Sequence, residues 1–474
     1  MDSKRILTCV TIGVAVIWTA LMFFWILRDP YKGMSTFEPG ADNRPEGTAR
    51  KADDVVVGEF FMKYDEPLPS GLNGIWNGFR GADRSNIIKS STSINTTTDY
   101  PVLWTATTGE GHASAAIFKG LVYVLDYDET LSSDALRCIS LETGKDIWKR
   151  WYRVRMKRNH GFSRTIPAVG DGYVITLGPE GHVMCCDPLT GNLKWTLDLK
   201  QTFRTEVPFW YAGQCPLVDD GTLVIAPAGE ETLLAGIDAN SGKVLWTTPN
   251  SVSFKMSHSS VMPMTLEGKK TYVYCGVGGV VGVSAEGSDK GKLLWSTTKW
   301  QPSVIAPSPL GISSRRVFLV AGYGTGGALL EVTRNGASWS ADILEQYKAD
   351  KGLSAEQQTP ILYDGMIISI LPKDAGGNRE KIVIYKPSDL HTPVWKSAND
   401  EKFGLGPYIT VNGNLFAFNE RGTLYVYKIG KGEMELLRKQ EILPDGEDAW
   451  GPMAYADGRL ILRDAHNIVC IKID

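Results

Sequence analysis

VMCCDPLTGNLKW (183–195) is the stretch from which the fold of this chain is read. Four apolar residues run into Asp187, a polar Pro-Leu-Thr-Gly segment turns the chain, and a second run ends on Trp195. Two short strands joined by a tight turn explain that order. Gly supplies the positive φ that a turn needs, and Asp bonds its own backbone. The pattern recurs as LRCISLETGKDIW (136–148), AGIDANSGKVLW (235–246) and VVGVSAEGSDKGKLLW (280–295). Weaker copies are LLEVTRNGASW (329–339), IVIYKPSDLHTPVW (382–395) and LYVYKIGKGEMELL (424–437), the last with Leu437 in place of Trp. IVCIKID (468–474) stops before any Trp, while PVLWTA (101–106) is a Trp strand with no half-motif ahead of it.

The series Trp104, Trp148, Trp195, Trp246, Trp295, Trp339, Trp395 and Leu437 advances in steps of 42 to 56 residues. A period of about 40–50 residues with four short strands per unit specifies a β-propeller. A second marker, an apolar run, a Gly turn and another strand, occurs eight times, from SAAIFKGLVYV (114–124) to GPMAYADGRLIL (451–462). The fold class expected is therefore all-β: an eight-bladed propeller in which IVCIKID pairs with PVLWTA, so that one blade holds strands from both ends of the chain. Closure of this kind removes the open sheet edge that invites aggregation. The repeat Trp residues are read as structural, each packing one blade on the next.

The 474 residues include 50 Gly and 24 Pro, which suits a loop-rich β protein. A net charge of −3 argues against a nucleic-acid partner. Seven Cys show no C-x-x-C or C-x-x-C-H spacing, which excludes a c-type haem and a zinc ribbon, and no phosphate-binding P-loop sequence is present. Residues 6–27 carry no charge, and 22 residues of helix span about 33 Å, enough to cross a bilayer. The bulky end at Phe23, Phe24 and Trp25 lacks a small-residue cleavage signal, so an uncleaved anchor is expected. The expected organisation is a short cytoplasmic tail (1–5), a transmembrane helix (6–27), a linker (28–70) and an extracytoplasmic propeller (71–474) on a single-pass inner membrane protein. Within the linker, VVVGEFF (55–61) reads as a short strand docking on the body.

The D-x-x-T-G-x-x-x-W pattern of Asp187, Thr190, Gly191 and Trp195 resembles the repeat of pyrroloquinoline-quinone-type propellers over about residues 71–474. WNGFRGADRSNI (76–87), AGYGTGGALLEV (321–332) and AWGPMAYADGRLILRD (449–464) resemble a group of bacterial repeat proteins often labelled by similarity to the propeller subunit of the outer-membrane-protein assembly machinery. In that repeat a small residue two before the Asp receives the Trp face, which here implies Cys138, Cys185, Gly236, Gly282 and Cys470. Glu331, Ile384 and Val426 depart from it.

The resemblance implies one of two roles. The first is a non-enzymatic scaffold of an envelope complex, whose partners are other membrane or envelope proteins and which needs no cofactor. The second is a quinoprotein dehydrogenase holding a quinone and Ca²⁺ over the tunnel. The dehydrogenase needs oxygen ligands for a hard cation, a carboxylate base and an Arg near the quinone, and the sequence offers no convincing set. The adjacent Cys185 and Cys186 are not read as a reactive pair, because neighbours in a strand point to opposite faces.

A site, if present, lies where the innermost strands begin. Its candidates are His112, Arg164, Gln214, His258, Gln358 and Asp448, with His112 and His258 in similar positions of two units. KRWYRVRMKRNHGFSR (149–164) adds a basic, aromatic stretch whose Arg153, Arg155, Lys157 and Arg158 are candidates for binding a partner.

Overall fold

The computed structural model describes residues 2–27 and 55–474. The chain forms two units, Met1–Asp54 and Val55–Asp474. In the first, α1 (Ser3–Leu27) is long and apolar enough over Leu7–Trp25 to cross a membrane, a property that a signal sequence shares. Residues 28–54 of the expected linker lie outside the described residues.

The second unit is a closed ring of eight sheets, antiparallel except where Ile87–Ile88 pairs parallel with Tyr408–Val411 in the seventh. Six blades have four strands, the first has six and the seventh has five. In the eighth blade, Asn467–Lys472 pairs with Val102–Thr107, and Cys470 stands opposite Trp104, as circular closure requires. Apolar residues of neighbouring blades merge into continuous clusters, for example Ile117 and Val122 with Ile461 and Val469. Burial at about 25 cal/mol per Å² makes these seams the main source of stability.

The repeat turn explains how one blade grips the next. Asp187 Oδ1 accepts from Leu189 N, Thr190 N and Thr190 Oγ1, which fixes the turn. Gly191, at φ +70°, then lies flat against Trp148 of the preceding blade, where a Cβ would come within 2.6–2.9 Å of aromatic carbons. Trp148 Nε1 donates to Pro188 O at 3.1 Å, and Trp195 Nε1 donates to Ala239 O at 3.0 Å. Cys138 pairs with Trp148, Cys185 with Trp195, Gly236 with Trp246 and Gly282 with Trp295. The two thiols at 185 and 186 face different blade seams, and burial pushes both up to about 12, which makes them inert packing groups.

Two blades depart from the sequence pattern. In blade five the hairpin Gly326–Asn335 and Ser338–Tyr347 is lengthened, and its register shift falls between Leu329 and Leu330. Leu329 therefore faces Glu345 at the position that Trp takes elsewhere, and Trp339 lies nearer the hairpin tip, opposite Arg334. Glu345 bonds His391 Nε2 of blade six at 3.0 Å. In blade seven Val426 faces Arg438, so Arg438 rather than Leu437 stands in for the indole. Its guanidinium lies 5.5 Å from the Tyr100 ring centre, one planar group replacing another.

The compact unit begins at Val55, ahead of the boundary expected at 71. Phe60–Lys63 adds a strand to the outer edge of blade one, and Phe60 stacks on Trp151 at 5.6 Å. Glu66 then contacts Thr143 and Lys145, and Ile75–Trp76 pairs with the innermost strand of the same blade. The arm thus crosses blade one from rim to hub before the chain enters the tunnel.

Candidate functional site

The two ends of the tunnel are built differently. One end is filled by residues 77–86. Arg80 donates to the carbonyls of Arg84, Ser85, Thr359 and Pro360. Arg84 donates to Val261 O at 3.0 Å and Pro216 O at 2.6 Å, and Asn86 Nδ2 donates to Tyr408 O. These carbonyls precede or begin the innermost strands of blades three, four, six and seven, and Val169 N of blade two donates to Asn77 O. Burial holds both guanidinium groups down at about 10, still charged at neutral pH. The segment is therefore a plug whose two guanidinium groups are matched to backbone carbonyls, most of them of the hub.

The other end is a cup of about 380 Å³. Each of the eight connections between blades contributes to its wall, and Phe79 of the plug forms part of its floor. The aromatic lining comes from separate blades. Trp210 stacks on Tyr323 at 5.9 Å with planes 12° apart, and His112 lies 4.7 Å from Trp450. Phe209 beside Trp210 is 80% exposed and Tyr323 is 64% exposed, so the rim offers wet aromatic surface. Trp450 Nε1 donates to Glu420 Oε2 at 3.3 Å.

Four of the six residues expected at the tunnel mouth meet in this cup: His112, Arg164, His258 and Gln358. Burial, reinforced by the Arg164 charge, holds His112 at about 3 and His258 at about 4, so both imidazoles are neutral at physiological pH. Arg164 donates to the carbonyls of Asn159, His160, Gly161 and Phe162, which fold the 159–164 loop around it. Gln358 Nε2 donates to Trp450 O at 2.9 Å. Gln214 does not line the cup. Both ends of its amide bond Ala226, in blade three. Asp448 also lies off the wall, half-buried, and burial raises its carboxyl.

The basic stretch is dispersed. Arg150 is buried against Gly58 O and Gly191 O, and Arg153 lies over the Phe60 ring. Arg158 pairs with Glu110 at 2.5 Å. Arg155 and Lys157 are exposed and make no ion pair among the described residues.

Sequence reasoning did not single out Trp210, Tyr323, Glu356 and Trp450. A signal was present: seven of the 14 Trp fall outside the repeat position, and Trp210 and Trp450 are among them.

The residues present do not fit a quinone with Ca²⁺. Among the described residues no three His, Cys, Asp or Glu side chains gather as metal ligands. Arg164 is committed to backbone carbonyls, and Glu420 is held by Trp450.

The ring, its indole-to-turn joints and its plugged hub define an eight-bladed propeller of the pyrroloquinoline-quinone-like class. The family model described as outer membrane protein assembly factor BamB matches residues 132–368, half of the chain, and the chain belongs to that family of PQQ-like β-propellers. Comparison with curated protein sequences finds no match. Among solved structures, BamB from Moraxella catarrhalis is similar with a TM-score of 0.51 and 10% identity, over 80% of this chain and 98% of that one. A europium-containing methanol dehydrogenase gives 0.58 and 11%, over 84% and 98%. The computationally designed Ika8 protein gives 0.50 and 13%, over 78% and 98%. An assembly factor, a dehydrogenase and a designed protein lie at comparable distances, so these likenesses establish the fold alone.

Proposed function

We propose that this chain is a membrane-tethered, extracytoplasmic propeller that works as a non-catalytic binding scaffold in a cell-envelope complex. The observation that carries the reading is the hub. Its polar side chains serve the backbone at the plugged end, and among the described residues no three His, Cys, Asp or Glu side chains gather as metal ligands at the open end. A rigid disc with loops on two faces suits docking, and a tether raises local concentration at the membrane. The family description, an outer membrane protein assembly factor, supports envelope proteins as the partner class. Residues 6–27 serve as the anchor, with residues 1–5 on the cytoplasmic side. Within the basic stretch, Arg155 and Lys157 are exposed cations placed to meet an acidic partner.

The test is purification of the full chain from membranes, followed by absorbance spectroscopy, metal analysis and identification of co-purifying envelope proteins. The expected result is no stoichiometric chromophore or Ca²⁺, and a defined envelope partner lost in the double variant Arg155→Glu, Lys157→Glu. A stoichiometric quinone would overturn the scaffold role. Full retention of the partner in the double variant would overturn the use of these two cations.

A further inference from the structure

The cup carries chemistry that neither the plug nor the scaffold role needs. Three cavity-lining side chains, Glu356, His112 and His258, each hold a buried polar atom with no hydrogen-bond partner: Oε2, Nδ1 and Nε2 respectively. They come from three different connections between blades. Buried polar groups left unpaired cost stability, and these three stand around one cavity. Beside them, Trp210 and Tyr323 hold their rings nearly parallel, and the Tyr323 backbone sits at φ +55°, a conformation that non-glycine residues seldom adopt.

We propose that this cup binds a short saccharide, with a pyranose ring on the Trp210–Tyr323 platform and its hydroxyls bonded by Glu356, His258 and His112. The choice of ligand follows from charge and hydrogen-bond type. His112 Nε2 already bonds His160 O at 3.2 Å, which leaves its Nδ1 as an acceptor, and a hydroxyl, being both donor and acceptor, can complete it and the neutral His258 alike. An anionic ligand fits poorly. Four donor contacts of Arg164 already go to backbone carbonyls, both imidazoles are uncharged, and Glu356, Glu380 and Glu420 line the same wall. A cationic ligand meets Arg164 and Lys373. What remains is a neutral molecule with an apolar face and many hydroxyls. The volume of about 380 Å³ falls in the small-molecule range, and the floor at Phe79 admits a chain end rather than a threaded polymer. The inference does not depend on the scaffold role, since binding is read without any protein partner.

The test uses the full chain in nanodiscs, because glycosidic detergents would compete. Maltotriose, cellotriose, chitotriose, galactotriose and mannotriose are titrated by tryptophan fluorescence and calorimetry. At least one is expected to bind saturably. Tyr323→Ala, at an exposed position, should weaken binding about tenfold. Glu356→Gln should weaken it several-fold without lowering the melting temperature. Trp148→Phe, in a blade seam, should leave it unchanged. Three results would overturn the proposal: no saturable binding by any of the five up to about 10 mM, binding indifferent to both Tyr323→Ala and Glu356→Gln, or citrate binding more tightly than every saccharide.

Discussion

The two ends of the tunnel draw on the same residue types and put them to opposite use. At the plugged end, buried Arg80 and Arg84 donate to hub carbonyls of several blades. At the cup, Arg164 is satisfied in the same way, yet Glu356, His112 and His258 around it are not. The guanidinium bonds of the plug are architecture. An unsaturated polar network beside exposed aromatic rings is free to receive a ligand, at some cost to stability.

The largest effect that would break this contrast is expected at the plug. Arg80→Ala removes a charged group bonded to four carbonyls and should lower stability by about 3 kcal/mol or more, read by thermal or denaturant unfolding. An unchanged melt would show that the plug is incidental to the ring.

A second, smaller effect concerns pH. Asp134 is fully buried near the cup-side loops, bonded by Tyr152 at 2.8 Å, and burial pushes its carboxyl up to about 7 from 3.8. The folded state therefore keeps a proton that the unfolded chain releases near pH 4. This group's contribution to stability falls as pH rises from about 4 to 7 and is level above that. Asp134→Asn should flatten stability over that window, and an unaltered pH profile would refute the assignment.

A third comparison returns to the cup. Glu356→Gln should leave stability unchanged or raise it by about 1 kcal/mol, because a buried, incompletely bonded carboxyl is replaced by a neutral amide. A clear loss would mean that Glu356 belongs with the architecture of the plug.

The smallest effect lies in blade five, where Glu345 and His391 replace an indole joint. Bonding to Lys351 O and then Glu345 raises the His391 imidazole above its usual range. The stabilisation from this exposed pair is full at low pH and is lost as pH rises through the folded value. Glu345→Gln should reduce that slight dependence, read as a histidine titration moved part of the way back toward 6.5.

Much of the ring was legible because it is local. Turn chemistry at Asp187–Gly191 and the Trp spacing lie within one short segment each, and they gave blade number, closure and the roles of Cys138, Cys185 and Cys470. Register was less legible. A shift by one or a few residues moved the indole position to Arg438 and Glu345, since a longer hairpin and a bulge leave composition unchanged while altering which side chains meet. Four of the six proposed mouth residues came together because each precedes an innermost strand, and that placement follows from the repeat.

By itself, the order of residues determined the period, the closed ring, the apolar N-terminal helix and the loops from which a central site could be built. These depend on turns and strand alternation, which act over a few residues. Tertiary structure alone decided that 77–86 plugs one end, that the arm covers blade one, and that Trp210, Tyr323 and Glu356 share a cup. Those features join groups far apart in the chain, by 77 residues for Glu66 and Thr143 and by 279 for Arg80 and Thr359, and only the folded ring brings them within bonding distance.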